Sequence, residues 1–135
     1  MNLNDLYSYA DEHNIPIISF DMPKSESMSI LYEGNCFIGI DPFTIKSEIQ
    51  EKAKLAHEIG HCETGAFYNE YATCDVREKH ERRANIWAIK KLIPKDKLTD
   101  AIKSGFGENR WELSEYFGVT EDLMQFALDY YKETA

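Results

Sequence analysis

Apolar and polar residues follow different periods along the chain, and the changes between periods mark the predicted elements. Between Asn2 and His13 apolar side chains recur at helical spacing, which predicts a first helix. The Asn-Ile-Pro sequence that follows is typical of a helix end, and the apolar run Ile15–Phe20 predicts a strand. The chain therefore opens with a helix and a strand.

Two short apolar segments with a turn signal between them come next. Ser27–Tyr32 and Cys36–Ile40 show partial period-two alternation, and Glu33-Gly34-Asn35 between them indicates a β-hairpin. We expect the strands to form a small antiparallel sheet. Cys36–Ile40 either presents a free edge to an extended ligand or, as an equal alternative, is an ordinary strand covered by helices.

The rest of the pattern is helical. Gly65 is expected to stop the first of these helices, and Asp75 to cap the second, which ends before Pro94. The predicted helices cover Thr44–Glu63, Asp75–Ile93, Lys95–Ser104, Asn109–Phe117 and Thr120–Tyr131. The fold class indicated is α+β, a small antiparallel three-stranded sheet packed with several helices. We expect one domain over residues 1–135, with residues 95–135 as a packing subregion.

Composition argues against two classes of protein. The net charge of −9 argues against a nucleic-acid-binding surface, and no apolar stretch approaches the length of a membrane span. The N-terminus carries no secretory signal pattern. The chain has three cysteines, an odd number, and they lack CxxC spacing: Cys36, Cys62 and Cys74. We therefore expect reduced thiols in a cytoplasmic protein.

The strongest chemical signal is His57-Glu58-Ile59-Gly60-His61 inside a predicted helix. Residues four apart lie on one helix face, so both imidazoles can reach one metal ion. Glu58 lies about 100° around the helix from His57. A general base in that position can take a proton from an activated water. The opposite face is expected to pack against the sheet through Leu55, Ile59 and Cys62.

A catalytic zinc site needs a third protein ligand. The candidates downstream are Glu63, Glu70, Cys74, Glu78, His80 and Glu81. Glu81 is favoured because it shares a helix face with Ala84 and Ala88, and small residues allow close approach to the first helix. Asn85, one turn further on, is suited to hold Glu81 or a ligand imidazole. His80 and Cys74 remain rivals, since zinc accepts both residue types.

Two motifs make the chain resemble the ImmA/IrrE metallopeptidases, which have a minimal zincin-like core. They are A-H-E-I-G-H at Ala56–His61 and E-R-R-A-N at the start of Glu81–Pro94. The resemblance implies one zinc ion per chain, held by His57, His61 and Glu81. It gives Glu58 the role of general base. It also implies an endopeptidase whose partner is a helix-turn-helix transcriptional repressor of a phage or mobile element.

The expected reaction is metal-assisted hydrolysis of an amide bond. Zinc lowers the pKa of its bound water towards about 7 and polarises the scissile carbonyl. A hydrogen-bond donor for the developing oxyanion is also required, and Tyr68, Tyr71 and His80 are equal candidates. Zinc is the default metal, but manganese or iron also accept two histidines and one carboxylate.

Two other functions are compatible with these residues. A non-cleaving antirepressor would sequester its partner, and it would need no base at Glu58. A deformylase-like hydrolase usually draws a cysteine ligand from an upstream motif, and Cys36 lacks such a motif. We expect a protein partner, with no direct binding of nucleic acid and no membrane.

A further pattern lies near the C-terminus. Trp111–Met124 has the outline of a helix-turn-helix, but it is acidic, whereas a DNA-reading version is basic. We therefore interpret it as a packing element. The large aromatic residues of this half are expected to be core or partner contacts, at Trp87, Trp111, Phe126, Tyr130 and Tyr131.

Overall fold

One helix precedes a small sheet, and the other helices follow it. The computed structural model describes residues 1–22, 24–68 and 71–135. In chain order its elements are α1 (Leu3–Glu12), β1 (Ile17–Ser19), β2 (Ser27–Tyr32), β3 (Asn35–Ile40), α2 (Glu48–Thr64), α3 (Cys74–Leu92), α4 (Lys95–Ala101), a π-helical turn (Ile102–Phe106), α5 (Arg110–Phe117) and α6 (Glu121–Glu133). The predicted α+β class is confirmed.

Side-chain caps fix the starts of most helices. An Asn, Ser or Thr side chain accepts a hydrogen bond from the first turn of its helix at Asn2, Ser47, Thr73, Asn109 and Thr120. The predicted cap at Asp75 was wrong, because the Thr73 hydroxyl accepts from the Val76 N–H and Asp75 lies inside the first turn. The predicted stop at Gly65 is confirmed by its left-handed conformation at φ 65°.

The sheet is mixed, so the prediction of a purely antiparallel sheet was wrong. Strands β2 and β3 form the predicted antiparallel hairpin, with Glu33 and Gly34 at positive φ in its turn. Strand β1 pairs with β3 in parallel, and the strand order is β1-β3-β2. Strand β1 runs opposite to β2 and lies on the far side of β3. It is therefore parallel to β3, a pairing that no local sequence pattern encodes.

The free edge of the sheet lies elsewhere than expected. Strand β3 is the middle strand and is paired on both sides, so the free edge considered for Cys36–Ile40 was wrong. Within the described ranges, β2 is an edge strand of the sheet. Its backbone N–H and C=O groups on that side are available to an added strand.

Helix α2 lies at the centre of the hydrophobic core. Leu55 and Ile59 are fully buried, as the amphipathic pattern predicts. The same apolar cluster extends from Leu6 in α1 to Leu113 in α5 and Met124 in α6. The stretch that resembles a helix-turn-helix therefore packs into this core. Trp111 does not share that burial, since it is 59% exposed.

Polar contacts also tie the C-terminal helices to the rest of the chain. The ammonium group of Lys52 in α2 donates to the Phe117 carbonyl at 3.0 Å, at the end of α5. Burial lowers the pKa of Lys52, although the charge of Asp5 opposes that shift. The Tyr131 hydroxyl donates to the Ile93 carbonyl at 2.8 Å. These bonds fix α5 against α2, and α6 against the end of α3.

A disulfide joins Cys36 in β3 to Cys62 in α2, with a Cα–Cα distance of 5.7 Å. The prediction of three reduced thiols was therefore wrong, and Cys74 alone among them is free. The two cysteines meet because the hairpin packs on α2, which their spacing in the sequence does not reveal. The cysteines therefore do not indicate a cytoplasmic location, which stays a prediction. No helix in the described ranges is long and apolar enough to cross a membrane.

We predict that Cys62→Ser lowers the free energy of unfolding by about 3 kcal/mol, since the disulfide closes a loop of 26 residues in the unfolded chain. Urea denaturation under non-reducing conditions measures the change. Cys74→Ser is the matched control and should leave the midpoint unchanged. If thiol titration of the native protein found three reactive groups, the bond would be absent and this prediction would fail.

Candidate metal centre

The two histidines of α2 direct their rings at a common point. Their Nε2 atoms lie 3.1 Å apart, and the ring planes are nearly perpendicular. The four-residue spacing inside one helix produces this arrangement, as the sequence predicts. His61 is 5% exposed, whereas His57 is only partly buried. The point between them is therefore open to the surface on the His57 side.

Helix α3 supplies a carboxylate to the same point. Glu81 Oε2 lies 2.7 Å from His57 Nε2, and Oε1 lies 3.1 Å from His61 Nε2. One ligand atom from each of the three side chains lies within 4.8 Å of the others. The structure thus brings together the three residues that the sequence favours as ligands, in a group that can hold a metal ion.

The rival ligands do not join this group in the part of the chain that the structure describes. Cys74 is exposed at the first residue of α3, and Glu78 is exposed one turn later. The Glu63 carboxylate accepts a hydrogen bond from Tyr9 at 2.8 Å. Glu70 lies outside the described residues.

Helices α2 and α3 approach so closely that their backbones touch. A Cβ atom built on Gly60 would lie 2.6 Å from the Ala84 carbonyl oxygen, closer than real Cβ atoms come. Ala84 at this contact and Ala88 one turn further on are both fully buried, in keeping with the close approach that their small size predicts. The role of Gly60 was missed, although a glycine in mid-helix signals close packing. This contact sets the distance between Glu81 and the histidines.

The Nδ1 atom of each imidazole, on the side away from the centre, forms a hydrogen bond that fixes the ring. His57 Nδ1 donates to the Asn85 side-chain oxygen at 2.7 Å, as expected for a residue one turn after Glu81. His61 Nδ1 donates to the Ala66 carbonyl, which the left-handed Gly65 turns towards the ring. Both bonds keep a proton on Nδ1, so that once Nε2 is deprotonated its lone pair faces the centre, which is the form a metal ion requires. Ala66 was missed because a backbone acceptor leaves no mark in a sequence.

Charge is concentrated at this point. Hydrogen bonds from His57 and His61 hold the pKa of Glu81 well below its usual range. Burial acts to lower the pKa of His61, but the hydrogen bonds to Glu81 and to the Ala66 carbonyl outweigh burial, so that pKa is raised. The carboxylate therefore attracts positive charge, which protons or a divalent cation can supply. Two imidazole nitrogens and one carboxylate are a donor set that fits zinc.

Glu58 lies beside this group and faces the same cavity. It is 7% exposed, and its Oε2 accepts a hydrogen bond from the Ser27 hydroxyl at 2.8 Å. The cavity has a volume of about 390 Å³ and is lined by both histidines, Glu58, Glu81 and residues of β2. Ser27 was missed, because its contact joins α2 to a strand distant in sequence.

The three oxyanion-donor candidates occupy different positions. The Tyr68 hydroxyl donates to Glu81 Oε1 at 2.9 Å, and burial together with this bond raises its pKa. Tyr71 lines a neighbouring apolar cavity. The His80 ring lies against Tyr68 with 6.1 Å between centroids, and its buried Nδ1 has no partner among the described residues. Of the three, Tyr68 lines the cavity that contains the histidines.

The sequence profile described as the IrrE N-terminal-like domain, peptidase M78, matches residues 10–129. The chain belongs to the ImmA/IrrE family of metallopeptidases. No curated protein matches it. Membership in the family explains why two features occur together. One is the H-E-x-x-H helix with His57 and His61, and the other is Glu81 on the next helix.

We predict that Gly60→Ala lowers the free energy of unfolding by about 1–3 kcal/mol, because the added methyl group meets the Ala84 carbonyl. It should also weaken zinc binding, since the helices that carry the ligands must separate. Thermal unfolding with and without zinc measures both effects. Adding Ala84→Gly should not rescue the variant, because the clash is with backbone. A Gly60→Ala protein with normal stability and zinc affinity would contradict the close contact.

We also predict that the affinity for zinc falls as the pH is lowered. Protons and metal compete for His61 Nε2, and the raised pKa of His61 extends this competition to higher pH than for an ordinary histidine. Competition with a chromogenic chelator on either side of neutral pH measures the trend. An affinity independent of pH would show that His61 is not a ligand.

Proposed function

We propose that this metallopeptidase is a zinc-dependent endopeptidase that cleaves a helix-turn-helix repressor of a phage or mobile element. His57, His61 and Glu81 are its proposed zinc ligands, and Glu58 is its general base. The observation that supports this most directly is the convergence of the three donors in the cavity that Glu58 also lines. Such a repressor acts on DNA, so the proposed location of both proteins is the cytoplasm.

Glu58 is suited to move a proton within this cavity. When bound, the metal supplies an activated water and a polarised scissile carbonyl. Burial and the bond from Ser27 hold the Glu58 carboxylate in one orientation, from which it accepts the water proton and returns it to the leaving amine. The Tyr68 hydroxyl is our proposed donor to the developing oxyanion, because it lines the cavity; in that role its single hydrogen turns from Glu81 to the substrate.

The edge of β2 is our proposed binding surface for an extended peptide. Ser27, Met28 and Ser29 of this strand line the cavity, so a segment paired with its free edge runs past Glu58. An apolar cavity continues beyond Tyr68 towards Leu31. A further cavity shares His57 and Glu58 and reaches α6. A cleft of this extent suits a polypeptide better than a small molecule.

Two observations bear on the choice of partner and mode of action. The net charge of −9 favours association with a basic protein, and DNA-binding repressors are basic. The alternative is an antirepressor that binds its partner without cutting it. A binder needs no carboxylate at position 58, so the buried Glu58 held by Ser27 favours the peptidase.

The test is to incubate the zinc-loaded protein with the helix-turn-helix repressor encoded beside its gene and to follow cleavage by mass spectrometry. Glu58→Gln should retain zinc and repressor binding, while the cleavage rate falls by about 10²- to 10⁴-fold, because the base is lost. Glu63→Gln is the matched control, since it makes the same change in the same helix at a carboxylate that accepts from Tyr9.

Two outcomes would overturn the proposal in different ways. A Glu58→Gln protein that cuts at the normal rate would remove Glu58 from the mechanism. A zinc-loaded wild type that binds the repressor tightly but leaves it intact would establish the antirepressor instead.

A further inference from the structure

A groove on the C-terminal half is separate from the cavity that contains the histidines. It has a volume of about 630 Å³ and is lined chiefly by Phe106, Trp111, Glu112, Glu115 and Tyr116. None of these residues lines the cavity of the candidate metal centre. We call this surface the aromatic groove.

The aromatic groove is built by one helix and the turn before it. The predicted helix Lys95–Ser104 does not continue regularly, since a π-helical turn follows Ala101 and Gly105 adopts φ 115°. This turn brings the ring of Phe106 within 5.0 Å of the Tyr116 ring, measured between centroids. The groove is therefore held by local backbone geometry and an aromatic contact.

Packing does not account for the exposed aromatic rings. Trp111 is 59% exposed and Tyr116 is 61% exposed. The residues that attach α5 to the core are Leu113 and Ser114, both buried, and they do not line the groove. Large exposed aromatic residues gathered in one groove are a feature of binding surfaces. Trp111 was expected to be a core residue or a partner contact. Its exposure excludes the core, so contact with a partner stays the expectation.

Charge specifies what the aromatic groove can hold. On α5, Trp111 and Glu115 are one turn apart, as are Glu112 and Tyr116, so each ring has a carboxylate beside it. Neither glutamate forms an ion pair within the described part of the chain. Lys103 and Arg110, the nearest cations in the sequence, do not line the groove. Ring faces with adjacent free carboxylates attract a cation.

We propose that the aromatic groove binds an arginine side chain in a basic segment of a protein partner. The planar guanidinium stacks on Trp111, beside Tyr116, while its N–H groups donate to Glu112 and Glu115. The partner is then held at a surface distinct from the candidate metal centre. Binding of arginine in this groove does not require cleavage, so it can be tested separately from the proposed peptidase activity.

The probe is a Gly/Ser peptide that carries spaced arginines, with a peptide of the same length containing citrulline as the uncharged counterpart. Titration of the labelled full-length protein by NMR should shift the Trp111 indole and the Tyr116 ring signals with the arginine peptide. The citrulline peptide should bind at least about tenfold more weakly, because it keeps the shape and loses the charge. Equal binding of both peptides would overturn the proposal.

Two pairs of variants distinguish binding in the aromatic groove from a general attraction of the arginine peptide to an acidic surface. The double variant Glu112→Gln with Glu115→Gln should lower the affinity for the arginine peptide by about tenfold or more. The matched control, Glu12→Gln with Glu121→Gln, makes the same change in net charge at exposed sites outside the groove. Equal weakening by the two pairs would show diffuse attraction only, and would contradict the site.

Trp111→Leu tests the ring itself and should abolish the Tyr116 shifts while the thermal midpoint stays within a few degrees of wild type. If Trp111→Leu binds normally, the aromatic contact is absent and the proposal fails. Sedimentation at the concentrations of the titration detects a second copy of the chain in the groove. Dimers that Trp111→Leu disrupts and that the arginine peptide does not dissociate would assign the surface to self-association instead.

Discussion

The close contact between the Gly60 backbone and the Ala84 carbonyl is the constraint on which the candidate metal centre depends. Two helices that carry ordinary side chains at their contact pack with their axes 8–10 Å apart, roughly. A glycine facing an alanine lets them come closer. Glu81 then reaches both histidines with hydrogen-bond distances, although it lies in a different helix. The same contact aligns Asn85 with His57.

Charge is tolerated at this partly buried centre because each charged group has a partner. A carboxylate or imidazolium removed from water is costly unless it is hydrogen-bonded or paired. Glu81 accepts from two histidines and from Tyr68, and Glu58 accepts from Ser27. The polar cluster on one face of α2 and the apolar face with Leu55 are therefore compatible within one helix.

The sequence predicts those parts of the molecule that depend on spacing within one element. His57 and His61 follow from the helical period, and Glu81 follows from the small residues on its face. The direction of β1 and the Cys36–Cys62 bond were not predicted, because both depend on which distant segments meet. Contacts of Ser27 and the Ala66 carbonyl were missed for the same reason, and the second is a backbone group that any residue supplies.

The Cys36–Cys62 disulfide also changes how the chain is connected. It closes a covalent ring that contains His57, Glu58 and His61, so Glu81 alone of the proposed zinc ligands lies outside it. The connection within this ring at residues 42–44 reaches the surface, where the Phe43 side chain is 85% exposed. A single backbone cut there would divide a reduced chain into two fragments. In the oxidised protein the two pieces would remain one molecule, with the sheet still attached to the helix of the metal centre.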